Sequence, residues 1–218
     1  MPTIAVEEYL AAIYRLRQDE EPVTVASLAR HLNLSHASVS LMVKRLTEEG
    51  LVRRKDGCLH LAPEGEQWAE AVVRRHRLAE RFLADVLHVP WDEVHGEAHR
   101  WEHVLSPAVE ERMDELLAHP VACPHGYPLP GREDEYPAKE LRPLSAVQVG
   151  QRVVVVRVQR EEPAFLRYLA SLGLLPGARL KVEEVAPFGG PVLVQLGPAR
   201  YALGREVASR ILVQGVDG

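Results

Sequence analysis

The first sixty residues have the apolar spacing of helices and then that of a hairpin. Apolar side chains recur every three to four positions over residues 5–17, which predicts an amphipathic helix. Thr24, a residue type that caps helices, opens a short helix over 25–31, and a longer helix over 36–49 follows the turn at 33–35. The pattern therefore predicts a helix-turn-helix.

Two short runs of β-prone residues, 51–54 and 58–61, follow these helices. The segment 55–57 between them ends in Asp-Gly, which is a strong signal for a tight hairpin turn. Three helices followed by a basic hairpin predict a winged helix-turn-helix. We therefore assign residues 1–62 to a DNA-binding domain.

The middle of the chain has a helical pattern. Helices are predicted over about 63–87, 91–105 and 107–118, and Pro63 is of the residue type that commonly stands at the first position of a helix. We group residues 63–120 as one helical domain.

The end of the chain has a different composition. Six prolines and two glycines fall between residues 120 and 143, so we predict an extended tether over 121–143. Beyond it, a helix over 164–172 interrupts β-prone segments at 151–158, 179–185, 192–196 and 211–213. About five short strands with one helix predict a small SH3-like barrel over 144–218. The predicted fold class is therefore mostly α, with a small all-β domain at the end.

Composition excludes several classes of protein. The 218 residues are 46% hydrophobic and 26% charged, as is usual for soluble globular chains. The longest aliphatic run, 153–156, is far shorter than the roughly 20 residues of a spanning helix, and two glutamates in the first ten residues argue against a secretory signal. Cys58 and Cys123 are too few for a disulfide framework or a four-cysteine zinc finger. We therefore expect a protein of the reducing cytoplasm with ordinary thiols.

The net charge of −5 is unevenly distributed. Residues 22–60 hold six Lys and Arg against three Asp and Glu, and residues 142–218 hold ten against six, whereas residues 61–120 hold six against thirteen. Five of the ten histidines lie between His76 and His103, inside the acidic block. Imidazoles among carboxylates are ligands for divalent cations, although a solvated acidic helix face has the same composition.

Four candidate ligands share one stripe of the second predicted helix of this block: His95, His99, Glu102 and His103. At 100° per residue they span only about 100° of the helix surface. On the preceding helix His76 and Glu80 have the i, i+4 spacing that lets two side chains converge on one ion. A single histidine is more often a surface or core residue, but this combination indicates a metal site.

Two other classes of protein fit part of the pattern. A metal-dependent hydrolase would use His95, His99 and a third ligand around an open zinc position, but no His-Glu-x-x-His order is present. A winged-helix regulator with an organic ligand would leave the one-face stripe unexplained. A metal-responsive DNA-binding regulator accounts for both halves of the chain.

The segments 76–81 and 97–106 resemble the diphtheria toxin repressor family of iron- and manganese-dependent transcriptional regulators. The resemblance extends to the helix-turn-helix and to residues 8–10, Ile13, Tyr14, 61–65, 123–126 and 128–131. It covers residues 1–131 closely, and the tail is similar to the family's SH3-like, ferrous-transport-associated domain. The resemblance implies a repressor, not an enzyme, that acts as a homodimer on double-stranded DNA without a membrane or organic substrate.

The resemblance implies two metal ions per subunit. The site called ancillary in the iron branch falls on His76, Glu80 and His95. The primary site falls on Glu8, His99, Glu102 and His103. In the iron branch the SH3-like domain adds a Glu and a Gln to the ancillary site. The residues in the corresponding region are Gln159, Glu161 and Glu162, with a spacing that does not match cleanly.

The identity of the metal depends on two positions. The iron branch has Met and Cys where this chain has Glu8 and His99, and the manganese branch has carboxylates at both. Oxygen and imidazole ligands favour Mn²⁺ by softness, although imidazole also suits Fe²⁺ and Zn²⁺. We expect Mn²⁺-dependent binding to a palindromic operator that controls metal-ion uptake genes, with an Fe²⁺-dependent repressor as the alternative.

The expected DNA contacts lie on the second helix of the motif and on the wing. Residues near a major groove would be Ser35, His36, Ala37, Ser38 and Leu41, with phosphate contacts from Lys44, Arg45, Arg53, Arg54 and Lys55. The small side chains favour thymine methyl contacts and recognition of DNA shape. Candidates for a two-fold dimer interface, or alternatively for intramolecular core, are Val94, Ala98, Val104, Leu105, Val109, Met113 and Leu116.

Overall fold

The computed structural model of the chain describes residues 2–19, 22–136, 140–159 and 162–216. They form two compact units. Unit 1 consists of Met1–His76 with His99–Glu110, and unit 2 of Arg77–Ala98 with Glu111–Gly218.

Unit 1 begins with the predicted helix-turn-helix. Its helices are α1 (Ile4–Gln18), α2 (Val25–Leu32) and α3 (His36–Glu48). Thr24 and Ser27 cap α2 reciprocally, because the Thr24 hydroxyl accepts a bond from Ser27 N at 3.0 Å and Ser27 Oγ accepts one from Thr24 N at 2.8 Å. The predicted cap and the predicted helices are confirmed to within a residue or two.

The wing is an antiparallel hairpin of β1 (Val52–Lys55) and β2 (Cys58–Leu61). Asp56 and Gly57 at its tip have φ angles of 51° and 79°, the left-handed pair that a tight hairpin turn requires. The prediction of a basic hairpin after the helices is therefore confirmed.

One apolar core holds unit 1 together. Leu10 and Ile13 from α1 pack there with Val39 from α3, and each is almost completely buried. Burying such a side chain stabilises the fold by roughly 1.5–3 kcal/mol. Helix α4 (Pro63–Asp85) begins in unit 1 and approaches the wing at Gly65, where any Cβ atom would collide with the carbonyl oxygen of Leu51.

Two shorter helices follow α4, namely α5 (Val94–Trp101) and α6 (Pro107–Leu116). Helix α5 is shorter at both ends than the predicted 91–105. Before it, residues 91–93 form a turn, and the Trp91 indole donates a hydrogen bond to the carbonyl oxygen of Pro124 at 3.0 Å. Beyond the C-terminus of α5 the chain continues as a turn.

The proline-rich segment differs from the extended tether predicted over 121–143. Residues 123–130 are all buried, and Ala122 forms a β-bridge with Pro128. The prolines therefore stiffen a packed loop, whose backbone groups bond within the loop, instead of an open linker.

The chain ends in a six-stranded antiparallel sheet with the strand order β3-β8-β4-β5-β6-β7. The strands are β3 (Arg142–Pro143), β4 (Arg152–Val158), β5 (Arg179–Val185), β6 (Val192–Leu196), β7 (Ala199–Leu203) and β8 (Ile211–Gly215). Helix α7 (Pro163–Leu172) packs on the core of the sheet, and the short α8 (Arg205–Ser209) precedes β8. The predicted small all-β domain with one interposed helix is confirmed, with β3, β7 and α8 added.

The mostly α fold class with a terminal β domain is thus confirmed. Among the described residues, no helix combines the length and the apolar character needed to cross a lipid bilayer.

Candidate metal centre

The first cluster of candidate ligands lies within unit 1 and contains the four residues predicted for the primary site: Glu8, His99, Glu102 and His103. One ligand atom of each lies within 4.8 Å of the others. Glu8 stands near the start of α1, and His99 stands on the last turn of α5. Glu102 and His103 follow the end of α5, so the turn, not the predicted helical stripe, brings them to the cluster.

The separations between donor atoms suit one shared ion. Glu8 Oε1 lies 2.9 Å from His103 Nε2 and 3.3 Å from His99 Nε2. Glu102 Oε1 lies 3.3 Å from His103 Nε2. Neighbouring oxygen and nitrogen ligands, each about 2.1 Å from an ion, are themselves about 3 Å apart. The four side chains therefore fit a divalent cation with little rearrangement.

A second carboxylate fixes the orientation of His103. Glu7 Oε2 lies 2.7 Å from His103 Nδ1, and a proton on Nδ1 would leave Nε2 to act as a ligand. Arg75 supports this arrangement, because it contacts Glu7 Oε1 at 3.4 Å and donates to the carbonyl oxygen of Glu102 at 2.6 Å. Sequence analysis missed Glu7 and Arg75, since neither stands on the ligand stripe.

Glu102 is fully buried and has several cationic or imidazole partners. Burial opposes its ionisation, but the hydrogen bonds from His76 and His99 and the charge of Arg15 outweigh this effect and hold the pKa of Glu102 far below its usual range. The hydrogen bond to Glu102 in turn raises the pKa of His99, against the effect of its partial burial. Both shifts favour the ionised carboxylate and the protonated imidazole when no metal is bound.

Metal affinity is expected to fall as the pH falls through the raised pKa of His99. A ligand imidazole must lose its proton, so below that pKa a proton competes with the ion and costs up to about tenfold in affinity per pH unit. Calorimetric Mn²⁺ titrations from about pH 8 to about pH 6 measure this. An affinity that stays constant over that interval would contradict ligation by His99.

The ancillary set is divided between the units. Within unit 2, His95 Nδ1 lies 3.1 Å from Glu80 Oε1, and Glu80 is fully buried. His76 stands one helical turn before Glu80 on α4, is the last residue of that segment of unit 1, and has its Nδ1 2.7 Å from Glu102 Oε2. The structure thus brings Glu80 and His95 together, and a role for His76 beside them stays a prediction.

A cluster that sequence analysis missed lies entirely within unit 2. Glu80, Cys123 and His125 are all buried, and their ligand atoms lie within 4.8 Å of one another. We predicted Cys123 to be an ordinary thiol in a tether, but the packed loop places its sulfur beside a carboxylate and an imidazole. The description of the ligands as oxygen and imidazole alone therefore applies to the first cluster and not to this one. A Cys-x-His spacing was the available signal.

Trp91 holds the imidazole of this second cluster. The Trp91 carbonyl oxygen lies 3.1 Å from His125 Nε2, and the two rings are in contact at a tilt of 44° with centroids 5.1 Å apart. A proton on Nε2 leaves Nδ1 as the acceptor, and this atom lies 3.4 Å from Glu80 Oε1. The cluster is thus oriented for ligation in the same way as His103 in the first cluster.

The contacts described for Gln159 and Glu162, two of the three predicted ligands from the β domain, are with Arg210 of the same domain. Glu161 lies outside the described residues. The backbone N–H of Gln159 donates to the carbonyl oxygen of Arg210 at 2.8 Å, and Glu162 stands at the N-cap of α7 with its carboxylate 4.0 Å from Arg210. Their participation stays a prediction.

The predicted DNA-binding residues form an exposed face of unit 1. A cleft of about 740 Å³ between α3 and the wing is lined by His36, Ala37, Leu41, Lys44 and Arg54, among others. Leu41 is 72% exposed, which is unusual for an apolar side chain and suits contact with a groove of DNA. The wing residues Arg53, Arg54 and Lys55 are all exposed.

Four of the predicted contacts, Ser35, Ser38, Lys44 and Arg45, have partners on α3 or at its two ends. Ser35 caps the helix by accepting a hydrogen bond from Ser38 N at 3.1 Å, so its role is at least partly structural. Lys44 pairs with Glu48 at 3.8 Å, and Arg45 pairs with Glu49 at 2.7 Å; each partner lies one helical turn later. Exposed pairs of this kind contribute little energy, so both cations remain available to phosphates.

The proposed dimer residues separate into two groups. Val94, Ala98 and Met113 are buried within the subunit, so their apolar character is explained by the core. Val104, Val109 and Leu116 are exposed by 75%, 46% and 65%, and Leu105 is half-buried. Only the exposed group remains a candidate for an interface.

Three family descriptions match consecutive parts of the chain. Residues 1–57 match "Iron dependent repressor, N-terminal DNA binding domain", residues 62–131 match "Iron dependent repressor, metal binding and dimerisation domain", and residues 142–215 match "FeoA domain". A winged helix joined to helices with clustered imidazoles and carboxylates defines a metal-dependent transcriptional regulator. The chain belongs to the iron-dependent repressor family, that of the diphtheria toxin repressor.

Relatives match over almost the whole chain. The iron-dependent repressor IdeR of Mycobacterium tuberculosis is 37% identical over 223 residues, which is 96% of each chain. The structure of a manganese-dependent transcriptional repressor with manganese is 34% identical, covers 97% of this chain and 100% of its own, and has a TM-score of 0.89. The manganese regulator SloR is 30% identical with 97% and 98% coverage and a TM-score of 0.78.

These similarities confirm the family that the motifs indicated, including the SH3-like domain. The family consists of DNA-binding, metal-dependent regulators, so the chain is a repressor and not an enzyme. The hydrolase alternative does not hold. The match to the metal-binding domain runs to residue 131, so the buried loop 123–130 falls within it.

Proposed function

We propose that this repressor is activated by Mn²⁺ and controls genes for metal-ion uptake. The observation that carries the proposal is the donor set of the first cluster, which contains two carboxylates and two imidazoles and no sulfur. Such ligands favour harder divalent ions than a site with Cys or Met does. The manganese-dependent relative with a TM-score of 0.89 supports this choice, whereas the 37% identity to an iron-dependent repressor keeps Fe²⁺ as the alternative.

Two ions per subunit are proposed. Glu8, His99, Glu102 and His103 would hold the first ion. Glu80 would hold the second, either in the predicted set with His76 and His95 or with Cys123 and His125, whose ligand atoms lie within 4.8 Å of one another and of Glu80. A bound divalent ion supplies positive charge and a fixed geometry for its ligands. Two ions would change the local charge of Glu8, Glu80 and Glu102 from −3 to about +1 and reduce repulsion from DNA phosphates.

Glu8 would couple metal to DNA. It stands on α1, whose inner face packs in the core of the DNA-binding helices, whereas its partners His99 and His103 come from the last turn of α5 and the turn after it. A closed set of ligands would therefore hold α1 in one orientation. A roughly 100-fold preference of the ion for that state corresponds to about 2.7 kcal/mol of coupling.

The proposed target is a palindromic operator in double-stranded DNA, bound by a homodimer in the cytoplasm. Two copies of α3 related by a two-fold axis would meet successive major grooves about one helical turn apart. The dimerisation domain that the chain matches and the exposed Val104, Val109 and Leu116 support this arrangement.

The test is an anaerobic DNA-binding titration on a promoter fragment upstream of a metal-transporter gene, with Mn²⁺, Fe²⁺ or Zn²⁺ and a chelated control. We expect Mn²⁺ to activate DNA binding at a lower free concentration, relative to its level in the cell, than Fe²⁺ or Zn²⁺ does. The double variant Glu8→Met with His99→Cys introduces two sulfur ligands, so it is expected to shift activation toward Fe²⁺ and Zn²⁺. Equal DNA binding in the chelated control would refute metal activation, and unchanged metal ranking in the double variant would refute selection by the first cluster.

A further inference from the structure

One basic residue of α1 contacts the shared carboxylate of the first cluster. A terminal nitrogen of Arg15 lies 2.9 Å from Glu102 Oε2, and the two side chains are 18% and 1% exposed. His76 Nδ1 lies 2.7 Å from the same oxygen. The other oxygen, Oε1, faces the candidate ligands His99 at 2.8 Å and His103 at 3.3 Å. The Glu102 carboxylate thus contacts Arg15 through one oxygen and the candidate metal ligands through the other.

The charges around the cluster are already largely balanced without a metal ion. Three carboxylates, those of Glu7, Glu8 and Glu102, lie among two guanidinium groups, those of Arg15 and Arg75. Arg75 contacts Glu7 and a backbone carbonyl oxygen, so Arg15 is the guanidinium that contacts a carboxylate of the ligand set. Because the pair with Glu102 is mostly buried, solvent and salt screen it only weakly.

We propose that Arg15 sets the metal concentration at which the repressor responds, by acting as a permanent counter-ion on Glu102 that opposes binding of the divalent ion. The proposal rests on the proposed function, since it takes the first cluster as a metal site. A guanidinium keeps its charge throughout the physiological pH range, so its opposition is constant, unlike that of a proton on an imidazole.

Two effects of Arg15 act in the same direction. An ion bound at Oε1 experiences repulsion from a positive charge held across the same carboxylate. An ion that engages both oxygens of Glu102 must also displace Arg15 and His76 from Oε2. Removing the guanidinium is therefore expected to tighten metal binding. If Arg15 served only to orient Glu102, its removal would instead weaken binding, so the sign of the change distinguishes the two roles.

The experiment measures Mn²⁺ binding to the full chain by calorimetry and by the spectroscopic signal of free Mn²⁺, for wild type, Arg15→Gln and Arg15→Lys. We expect binding to Arg15→Gln to be at least about tenfold tighter than to wild type. The affinity of Arg15→Lys should fall between the two, because an ammonium keeps the charge but pairs with a carboxylate less specifically. If Arg15→Gln does not fold, the Mn²⁺ affinity of Arg15→Lys, compared with that of wild type, still distinguishes an opposing role of Arg15 from an orienting one.

Arg17→Gln is the matched control. Arg17 is also on α1 and pairs with Glu66 at 2.5 and 2.8 Å, a carboxylate outside the ligand cluster. The substitution removes the same charge two positions along the chain, and we expect it to change the affinity for Mn²⁺ by less than about twofold.

Thermal unfolding provides a readout independent of affinity. Without metal, Arg15→Gln should unfold at a lower temperature than wild type, because buried Glu102 loses its cationic partner. Saturating Mn²⁺ should then raise its unfolding temperature by more than it raises that of wild type. Equal or weaker Mn²⁺ binding by the Arg15 variants would overturn the proposal while the proposed function stands. Absence of Mn²⁺ binding by wild type would overturn both.

Discussion

Replacing Glu8 with Ala is expected to remove most of the metal dependence of DNA binding and to leave the affinity of the metal-free protein unchanged. Glu8 Oε1 lies 2.9 Å from His103 Nε2 and 3.3 Å from His99 Nε2, and Glu8 is the member of the ligand set that stands on α1. Without it, the remaining three residues still attract an ion but no longer tie it to the helices that present α3.

The size of the effect follows from the coupling. If metal tightens DNA binding about 100-fold, loss of that factor corresponds to about 2.7 kcal/mol, and the ratio of metal-free to metal-loaded Kd for DNA should approach one. Fluorescence anisotropy with an operator fragment measures both values of Kd. Residual Mn²⁺ binding, measured separately, should be weaker than in wild type but detectable.

Glu111→Ala serves as the control for Glu8→Ala, since Glu111 is exposed on α6 and its removal changes the net charge equally. This variant should keep the full metal response. Glu8→Asp, with a carboxylate on a shorter side chain, should keep part of it. A Glu8→Ala protein that folds normally and still shows a 100-fold response would contradict coupling through α1.

The DNA-binding half was predictable because its signals act over a few residues. A Thr cap, the turn at 33–35 and an Asp-Gly pair each define one boundary of an element, and the structure has α2, α3 and the wing where those signals are. Hydrophobic periodicity then selects which face of each helix enters the core.

The residues around the metal ligands were not predictable in this way. Arg15 meets Glu102 across 87 positions of sequence, and Glu7 meets His103 across 96. Charged residues on a helix have no local mark that separates a solvated side chain from one that orients a ligand. His99, Glu102 and His103 were predicted because they share one helical stripe in the sequence, and Glu8 was predicted because the chain resembles the family.

The loop around Cys123 was missed for a different reason. Proline and glycine content is the same in an open tether and in a packed loop, since both need residues with restricted or unusual φ angles. Burial of residues 123–130 depends on long-range contacts that composition does not encode. Because the loop was predicted to be a tether, His125 was not predicted to be a ligand.

This loop also carries a substitution that is expected to destabilise unit 2 strongly. Gly126 has a φ angle of 89°, and a Cβ atom there would collide with the carbonyl oxygen of Val156 in β4. Gly126→Ala is therefore expected to combine backbone strain of about 1–2 kcal/mol with a steric cost of about 1–3 kcal/mol. Because the obstruction is backbone and not a flexible side chain, the loop itself has to move, and with it the bond from Val158 N to His125 O, now 3.0 Å.

Gly131→Ala separates the two contributions. Gly131 has a nearly equal φ of 83°, but no atom lies within 4 Å of where its Cβ would stand. The free energy of unfolding, measured with urea, should therefore fall in Gly131→Ala by the backbone strain alone, about 1–2 kcal/mol. In Gly126→Ala it should fall by about 2–5 kcal/mol. If the two variants were equally stable, close packing of the loop against β4 would contribute nothing, and residues 121–131 would be the tether that their composition suggests.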